Sequence, residues 1–166
     1  MRDKSLKITR ATRTSLYSIA VMTKRYFPYT QLDLEKIRER MECGGYCYLA
    51  ALWQGHTVGY VDFEVKEGYA QVLGLAVLEE FRNKGIGTKL LQKTISAARA
   101  EFKRRGIKLE RIDLMVLEEN AAARRLYEKI GFERKGILDR ELYGKRVLVY
   151  SKPLSESKPL SSTPAE

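Results

Sequence analysis

Residues 70–106 read AQVLGLAVLEEFRNKGIGTKLLQKTISAARAEFKRRG. They join an apolar, strand-like run to a long amphipathic helix through a turn that contains two glycines. Glycines let a backbone tighten and expose its N–H groups, and the positive end of the helix dipole lies at the same place. Arg82 and Lys84 add positive charge beside Gly85 and Gly87. The segment therefore predicts a site for a pyrophosphate group.

The turn does not match the common nucleotide-binding motifs. Leu90 stands where a third glycine would complete Gly-x-Gly-x-x-Gly, and the chain has no Gly-x-x-x-x-Gly-Lys-Ser/Thr. What remains is Arg-Asn-Lys-Gly-Ile-Gly, residues 82–87, after a strand that carries Leu75-Ala76-Val77. This pattern resembles the acetyl-CoA-binding motif of the GNAT family of N-acetyltransferases.

A second motif lies downstream, where residues 112–132 read IDLMVLEENAAARRLYEKIGF. Asn120 is a good N-cap, and Tyr127 follows it by two helical turns on the same face, so an amide and a phenol should border one groove. Taken singly, Asn120 could be only a cap and Tyr127 only a core aromatic. Together with the first motif they resemble the strand, Asn, helix and Tyr of the same family. The resemblance covers roughly residues 6–154.

The resemblance implies that acetyl-CoA is the co-substrate. In this family the coenzyme adds itself to the edge of the strand before the turn, as a neighbouring strand would. The implied coenzyme-binding residues are Leu75, Ala76, Val77, Arg82, Asn83, Lys84, Gly85, Ile86, Gly87, Thr88, Asn120, Ala123 and Tyr127.

The family's chemistry is direct transfer, in which an amine attacks the thioester carbonyl. An amine is mostly protonated at neutral pH, so it must first lose a proton. Tyr127 matches the family's tyrosine that protonates the departing thiolate, and is the predicted catalytic residue. A backbone N–H near Val77 would polarise the carbonyl.

The sequence does not identify a general base. Met115 stands five residues before Asn120, where protein N-terminal acetyltransferases often carry Glu or His. The preceding strand offers no base either, since the nearby positions are Gln71, Leu73 and Gly74. The remaining candidates are Asp113, on the same strand face as Met115, Glu118 at the end of that strand, and a relay through water.

The acceptor is suggested by two loops. Phe27-Pro28-Tyr29 resembles the loop that N-terminal acetyltransferases lay over the first residue of a peptide, and Tyr143 falls where those enzymes place tyrosines over the peptide backbone. The predicted substrate-binding residues are Phe27, Pro28, Tyr29 and Tyr143. A hydrophobic loop anchor explains Phe27 and Pro28 equally simply. Three hypotheses follow: acetylation of a protein or peptide N-terminal amine, acetylation of a small amine such as a polyamine, amino sugar or amino acid, and a non-catalytic acyl-CoA-binding module.

Composition limits the remaining function classes. The net charge of +10 would suit nucleic acid, but the basic residues alternate with acids along helices, so we expect a solvated surface and no nucleic-acid role. Cys43 and Cys47 have no second pair, which favours two reduced, partly buried thiols over a zinc site, and no metal is expected. No apolar run approaches a membrane span and no signal peptide is seen, so a cytoplasmic location is expected. A homodimer is possible for the family.

The predicted fold is α/β, the GNAT fold, with a mixed central sheet flanked by helices in the order β-α-α-β-β-β-α-β-α-β-β. Residues 1–154 form one N-acetyltransferase domain, and residues 155–166, rich in Ser and Pro, form a disordered tail. The predicted strands are 6–10, 46–53, 56–65, 69–78, 111–117 and two that flank Tyr143-Gly144. The predicted helices are 12–26, 32–41, 85–105 and 120–130.

Overall fold

The computed structural model describes residues 6–154 of the chain. The strands are β1 (Leu6–Arg10), β2 (Tyr46–Trp53), β3 (His56–Val65), β4 (Tyr69–Val77), β5 (Arg111–Leu117), β6 (Glu133–Ile137) and β7 (Val147–Pro153). The helices are α1 (Arg13–Tyr26), α2 (Leu34–Glu42), α3 (Ile86–Arg105) and α4 (Ala121–Ile130). The strands form one sheet in the order β1-β2-β3-β4-β5-β7-β6. The α/β class, the mixed sheet and the order of elements are confirmed.

Helices cover both faces of the sheet. The core under α3 and α4 contains Leu90, Phe102 and Tyr127, and the core under α1 and α2 contains Ile19 and Ile37. Because strands in such a sheet are covered on both sides, their apolar runs are nearly continuous. This explains why β2 and β3 read as long apolar segments rather than as alternating ones.

The ends of the elements follow local capping chemistry. Helix α2 begins two residues later than predicted because the Asp33 side chain accepts a hydrogen bond from the Lys36 backbone N–H at 2.9 Å. Thr12 does precede α1, but its hydroxyl makes no capping bond and instead lies 2.7 Å from the Thr14 hydroxyl. Gly106 ends α3 in a left-handed conformation, as expected from its position. The predicted tail at 155–166 lies outside the described residues.

One strand pair in the sheet is short and parallel. β4 pairs with β5 only from Tyr69↔Arg111 to Val72↔Leu114, although β4 continues to Val77 and β5 to Leu117. The pairing of β4 with β3 shifts at the same level, because Asp62 opposes Gly74 while Phe63 opposes Val72. Leu73 is therefore an extra residue, a β-bulge, which bends the strand. The two strands separate at this bulge.

Two structural facts bear on the predictions from composition. No helix within residues 6–154 is long and apolar enough to cross a membrane. Cys43 and Cys47 are both free, and Cys47 is buried while Cys43 is exposed. The prediction of partly buried thiols is therefore wrong for Cys43, which follows the last turn of α2 at the surface.

Gly59 on β3 leaves no room for a side chain beside the backbone of β4. A Cβ at Gly59 would lie 2.9 Å from the Ala76 carbonyl oxygen and 3.4 Å from Cδ1 of the fully buried Leu90. The first of these distances is shorter than real Cβ contacts, and the atom it meets belongs to the backbone. The close approach of the β4 backbone to Gly59 therefore depends on a missing side chain, whereas the contact with Leu90 of α3 would be of ordinary length.

We predict that Gly59→Ala lowers the free energy of unfolding by about 1–3 kcal/mol, the usual cost of overpacking a core. The matched control is Gly136→Ala in β6, where an added Cβ meets no atom within 4 Å. That change should leave stability unaltered or raise it by up to about 1 kcal/mol, because alanine restricts the unfolded chain. Urea unfolding measures both, and equal effects of the two substitutions would contradict this account of the packing.

Candidate active site

The separation of β4 from β5 creates an opening in the sheet. Two apolar side chains mark its sides, Leu73 on β4, which is 41% exposed, and Met115 on β5, which is 49% exposed. Beyond Val72 the edge of β4 that faces β5 carries the predicted residues Leu75, Ala76 and Val77. An unpaired strand edge offers backbone donors and acceptors to an extended ligand.

The predicted phosphate turn follows this edge after a short 3₁₀ helix, Glu79–Phe81. Asn83 and Gly85 have left-handed backbones, with φ of 60° and 79°. α3 begins at Ile86, and the Lys89 N–H donates to the Gly85 carbonyl at 3.1 Å as the helix starts. The backbone N–H groups of residues 86–88 lie before the first hydrogen bond of the helix. No side chain within the described residues caps α3. A helix start of this kind is suited to an anion.

The charged residues of the turn pack back on the protein. The Arg82 Nε donates to the Val77 carbonyl at 2.9 Å, and its guanidinium lies 4.9 Å from the centre of the Tyr26 ring. The Lys84 ammonium lies 5.6 Å from the centre of the Phe81 ring. Arg82 thus joins the turn to the end of β4.

Gly87 has a packing role that the sequence does not reveal. A Cβ at this position would lie 3.1 Å from Cδ2 of Leu126 in α4. The glycine therefore allows α3 and α4 to approach each other, besides exposing its backbone in the turn. A substitution at Gly87 would disturb this helix contact, so Thr88 is the better position at which to test phosphate binding.

The second motif forms the start of α4. The Asn120 side chain accepts a hydrogen bond from the Ala123 backbone N–H at 3.1 Å, which confirms its capping role. Tyr127 is only 8% exposed, and its ring packs near Phe132 and Tyr150, with ring centres 6.1 and 6.4 Å away. Burial, and secondarily the nearby Tyr29, raises the pKa of Tyr127 to about 12. The phenol is therefore protonated at neutral pH.

The two predicted acceptor loops meet in the structure. The Tyr143 hydroxyl donates to the Tyr29 carbonyl at 3.0 Å, and the two rings are 4.9 Å apart between centres. The Phe27 ring stands edge-on to Tyr29 at 6.3 Å. Pro28 begins the 3₁₀ turn that carries Tyr29. Residues 114 positions apart are thus brought together beside the opening.

Tyr143 holds an unfavourable backbone conformation. Its φ is 57° and that of Gly144 is 69°, in a turn closed by two 3.0 Å hydrogen bonds between Leu142 and Lys145. Glycine and asparagine are usual at such positions, whereas a left-handed aromatic residue is uncommon. Residues held in this way cluster at functional sites.

The two carboxylates considered as bases are engaged elsewhere. Asp113 accepts hydrogen bonds from the Arg111 Nε at 2.9 Å and from the Ser151 hydroxyl at 2.7 Å. Glu118 lies 3.5 Å from the Arg146 guanidinium, near the surface. Among the described residues no group of three or more His, Cys, Asp or Glu side chains is placed to hold a metal ion.

Sequence reasoning missed Asp62. This residue is in the middle of β3, is only 4% exposed, and has a pKa that burial raises from 3.8 to about 7. It lines a recess of about 180 Å³ together with Phe27, Leu73 and Gly74. The available signal was a carboxylate directly between two apolar residues, Val61 and Phe63, in the middle of a predicted strand, since buried charges are costly without a partner.

Comparisons with known proteins agree with this geometry. The family model described as the acetyltransferase (GNAT) family matches residues 14–132. The chain is 29% identical over 148 residues to an N-alpha-acetyltransferase of Saccharolobus solfataricus, covering 82% of this chain and 77% of the relative. It is 29% identical over 132 residues to a spermine/spermidine N(1)-acetyltransferase of Bacillus subtilis, covering 75% and 80%.

The fold is also that of a solved acetyltransferase. The crystal structure of the ribosomal-protein-S18-alanine N-acetyltransferase from Escherichia coli superimposes with a TM-score of 0.74 at 22% identity, covering 92% of this chain and 96% of that one. Because the family model spans most of the chain and includes both the predicted phosphate turn and the Asn120–Tyr127 segment, the chain belongs to the GNAT family of acetyltransferases, which use acetyl-CoA.

Proposed function

We propose that this chain transfers the acetyl group of acetyl-CoA directly to the N-terminal amine of a protein or peptide. The contact between Tyr143 and Tyr29 carries the acceptor half of the proposal, because it assembles an aromatic slot from two distant loops beside the opening in the sheet. The likeness to an N-alpha-acetyltransferase supports it further. Two unpaired cysteines support a cytoplasmic location, where thiols stay reduced.

The coenzyme half rests on the strand edge and the helix start. An extended pantetheine would pair with β4 between Leu73 and Val77, and the pyrophosphate would accept from the N–H groups of residues 85–88. Arg82 and Lys84 add positive charge at the same end. In this arrangement the thioester lies in the opening, below the acceptor slot.

Tyr127 is the proposed proton donor to the departing thiolate. Its raised pKa keeps the phenol protonated at neutral pH, as a general acid requires. The reaction therefore needs a second group, which takes a proton from the incoming ammonium.

A small amine is the second candidate acceptor. The chain is as similar to a spermine/spermidine N(1)-acetyltransferase of Bacillus subtilis as to the archaeal N-alpha-acetyltransferase. A recess of about 180 Å³ that contains a carboxyl group would also admit an alkylammonium. The two candidates differ in the aromatic slot, which serves a peptide backbone but is not needed by a polyamine.

We predict that Thr88→Glu weakens acetyl-CoA binding at least tenfold without destabilising the protein. A carboxylate in the first turn of α3 interacts favourably with the helix dipole, so the fold is not weakened, but it repels a phosphate at the same place. The control is Ser96→Glu, which adds the same charge to the same helix about 12 Å further along and should leave affinity unchanged. Isothermal titration with acetyl-CoA measures both variants. Equal acetyl-CoA affinity for Thr88→Glu and wild type would show that the pyrophosphate does not bind at this turn.

We predict that Tyr127→Phe lowers kcat roughly 10²-fold, the usual scale for a lost general acid, while coenzyme affinity is retained. The control is Tyr150→Phe, which removes a neighbouring hydroxyl that donates to Glu128 at 2.8 Å. It should cost stability rather than turnover. Thiol release measures kcat for both variants, and an unchanged kcat in Tyr127→Phe would show that another group protonates the thiolate.

We predict that a peptide with a free amino end is acetylated and that its N-blocked form is not. Phe27→Ala and Tyr143→Phe should raise KM for the peptide at least several-fold with little change in kcat. These residues would bind parts of the peptide that are distant from the reacting bond. Tyr17→Phe, on the exposed face of α1, is the matched control. A higher kcat/KM for spermidine than for every peptide tested would support the small-amine candidate instead.

A further inference from the structure

Asp62 occupies the centre of a row of residues that crosses the sheet. It opposes Tyr48 on β2 and Gly74 on β4, and it shares with Tyr60 the face that α1 and α2 cover. The absence of a side chain at Gly74 makes room for the carboxylate, since a Cβ there would lie 2.9 Å from the Asp62 Oδ1. The row ends at the bulge where β4 leaves β5.

The recess connects this buried carboxyl group to the surface. Its lining includes the exposed Thr30, the bulge residue Leu73, Phe27 and the buried Asp62. Leu73 also borders the opening between β4 and β5, where the thioester of acetyl-CoA lies in the proposed complex. Asp62 is thus at the floor of a passage that begins under the acceptor loops and adjoins the coenzyme opening.

The groups that face Asp62 leave it able to exchange a proton near neutral pH. Burial raises its pKa to about 7, against the lowering influence of Arg40 from α2, the Tyr48 hydroxyl from β2 and the Gly74 backbone. Tyr60, from the same strand, bonds through its hydroxyl to Thr23 of α1 at 2.9 Å. Burial and Asp62 raise the pKa of both tyrosines well above their usual range, so they remain neutral.

We propose that Asp62 is the general base of the acetyl transfer and the binding partner of the acceptor ammonium. The proposal rests on the proposed acceptor slot and coenzyme position. The two carboxylates considered earlier as bases are less suitable than Asp62, because Asp113 and Glu118 are already paired with arginines. It also explains how a chain with Met115 on β5 can remove the proton.

The proton balance of the step is complete. The ammonium gives one proton to the Asp62 carboxylate, and the freed nitrogen lone pair forms the N–C bond to the acetyl carbonyl carbon. The C–S bond breaks, and the thiolate is protonated by Tyr127. The nitrogen loses its second proton to restore Tyr127, and Asp62 releases its proton to solvent through the recess. The sum is an amide, coenzyme A and one proton.

The test is the pH dependence of kcat/KM in Asp62→Asn, measured by thiol release with two acceptors of different basicity. A peptide α-amine has a pKa near 8 and an alkylamine a pKa near 10. Wild type should gain activity through about pH 7 with either acceptor. The variant should lose at least 10²-fold at pH 7, and its activity should rise with the deprotonation of whichever acceptor is used.

The matched control is Asp113→Asn, which removes a carboxylate from β5 and should keep the wild-type pH profile. An Asp62→Asn enzyme with the wild-type profile for both acceptors would overturn the assignment. Activity on the alkylamine but on no peptide would refute the proposed acceptor. The pH profiles of wild type and Asp62→Asn with the alkylamine would still test the role of Asp62. A titration of the wild-type Asp62 carboxyl by ¹³C NMR needs neither a variant nor an acceptor. A midpoint near pH 7 supports the assignment, whereas one near pH 4, the ordinary value, would also overturn it.

Discussion

The separation of β4 from β5 is the constraint on which the site depends. Two parallel strands that stayed paired to their ends would close the sheet and leave no room for a thioester. Here the pairing ends at Val72↔Leu114, and the extra residue Leu73 bends β4 away at the same level. After the bend, β4 continues to Val77 and is followed by the 3₁₀ helix Glu79–Phe81, the predicted phosphate turn and α3. One irregularity thus opens the sheet beside the strand edge at which we propose that the coenzyme binds.

The same irregularity explains a buried charge. Asp62 is opposite Gly74, the residue after the bulge, where there is no side chain to fill the space. A carboxylate at such a place costs stability when it ionises, because burial raises its folded pKa above the value of the unfolded chain. Between about pH 4 and pH 7 the unfolded state ionises first, so the contribution of Asp62 to stability falls as the pH rises. A group that weakens the fold at neutral pH is better explained by chemistry than by packing.

The sequence predicts the local features of this protein well. Gly85, Gly106 and Asn120 act through their own backbone or through a neighbour three residues away, and each is found where the pattern indicates. The helix α2 start was missed by two residues because Asp33, a better cap, follows Leu32. Such errors come from competition between nearby caps and do not change the fold.

The features that the sequence does not predict are non-local. The contact between Tyr143 and Tyr29 joins residues far apart in the chain. The resemblance of the sequence to the family suggests only that both loops bind the acceptor, not that they contact each other. The significance of Asp62 depends on a register shift between β3 and β4, which no alternation pattern shows. The packing of Gly87 against Leu126 likewise depends on how two helices meet. In each case the partner is set by the tertiary structure.

The central claim is that coenzyme and acceptor meet in the opening between β4 and β5. A crystal structure with a bisubstrate ligand, coenzyme A joined through an acetyl group to the amine of a short peptide, tests it most directly. The account predicts the pantetheine along residues 73–77, the pyrophosphate at residues 85–88, and the peptide nitrogen facing the recess that contains Asp62. A ligand bound elsewhere, or β4 and β5 paired along their whole length around an empty recess, would contradict it.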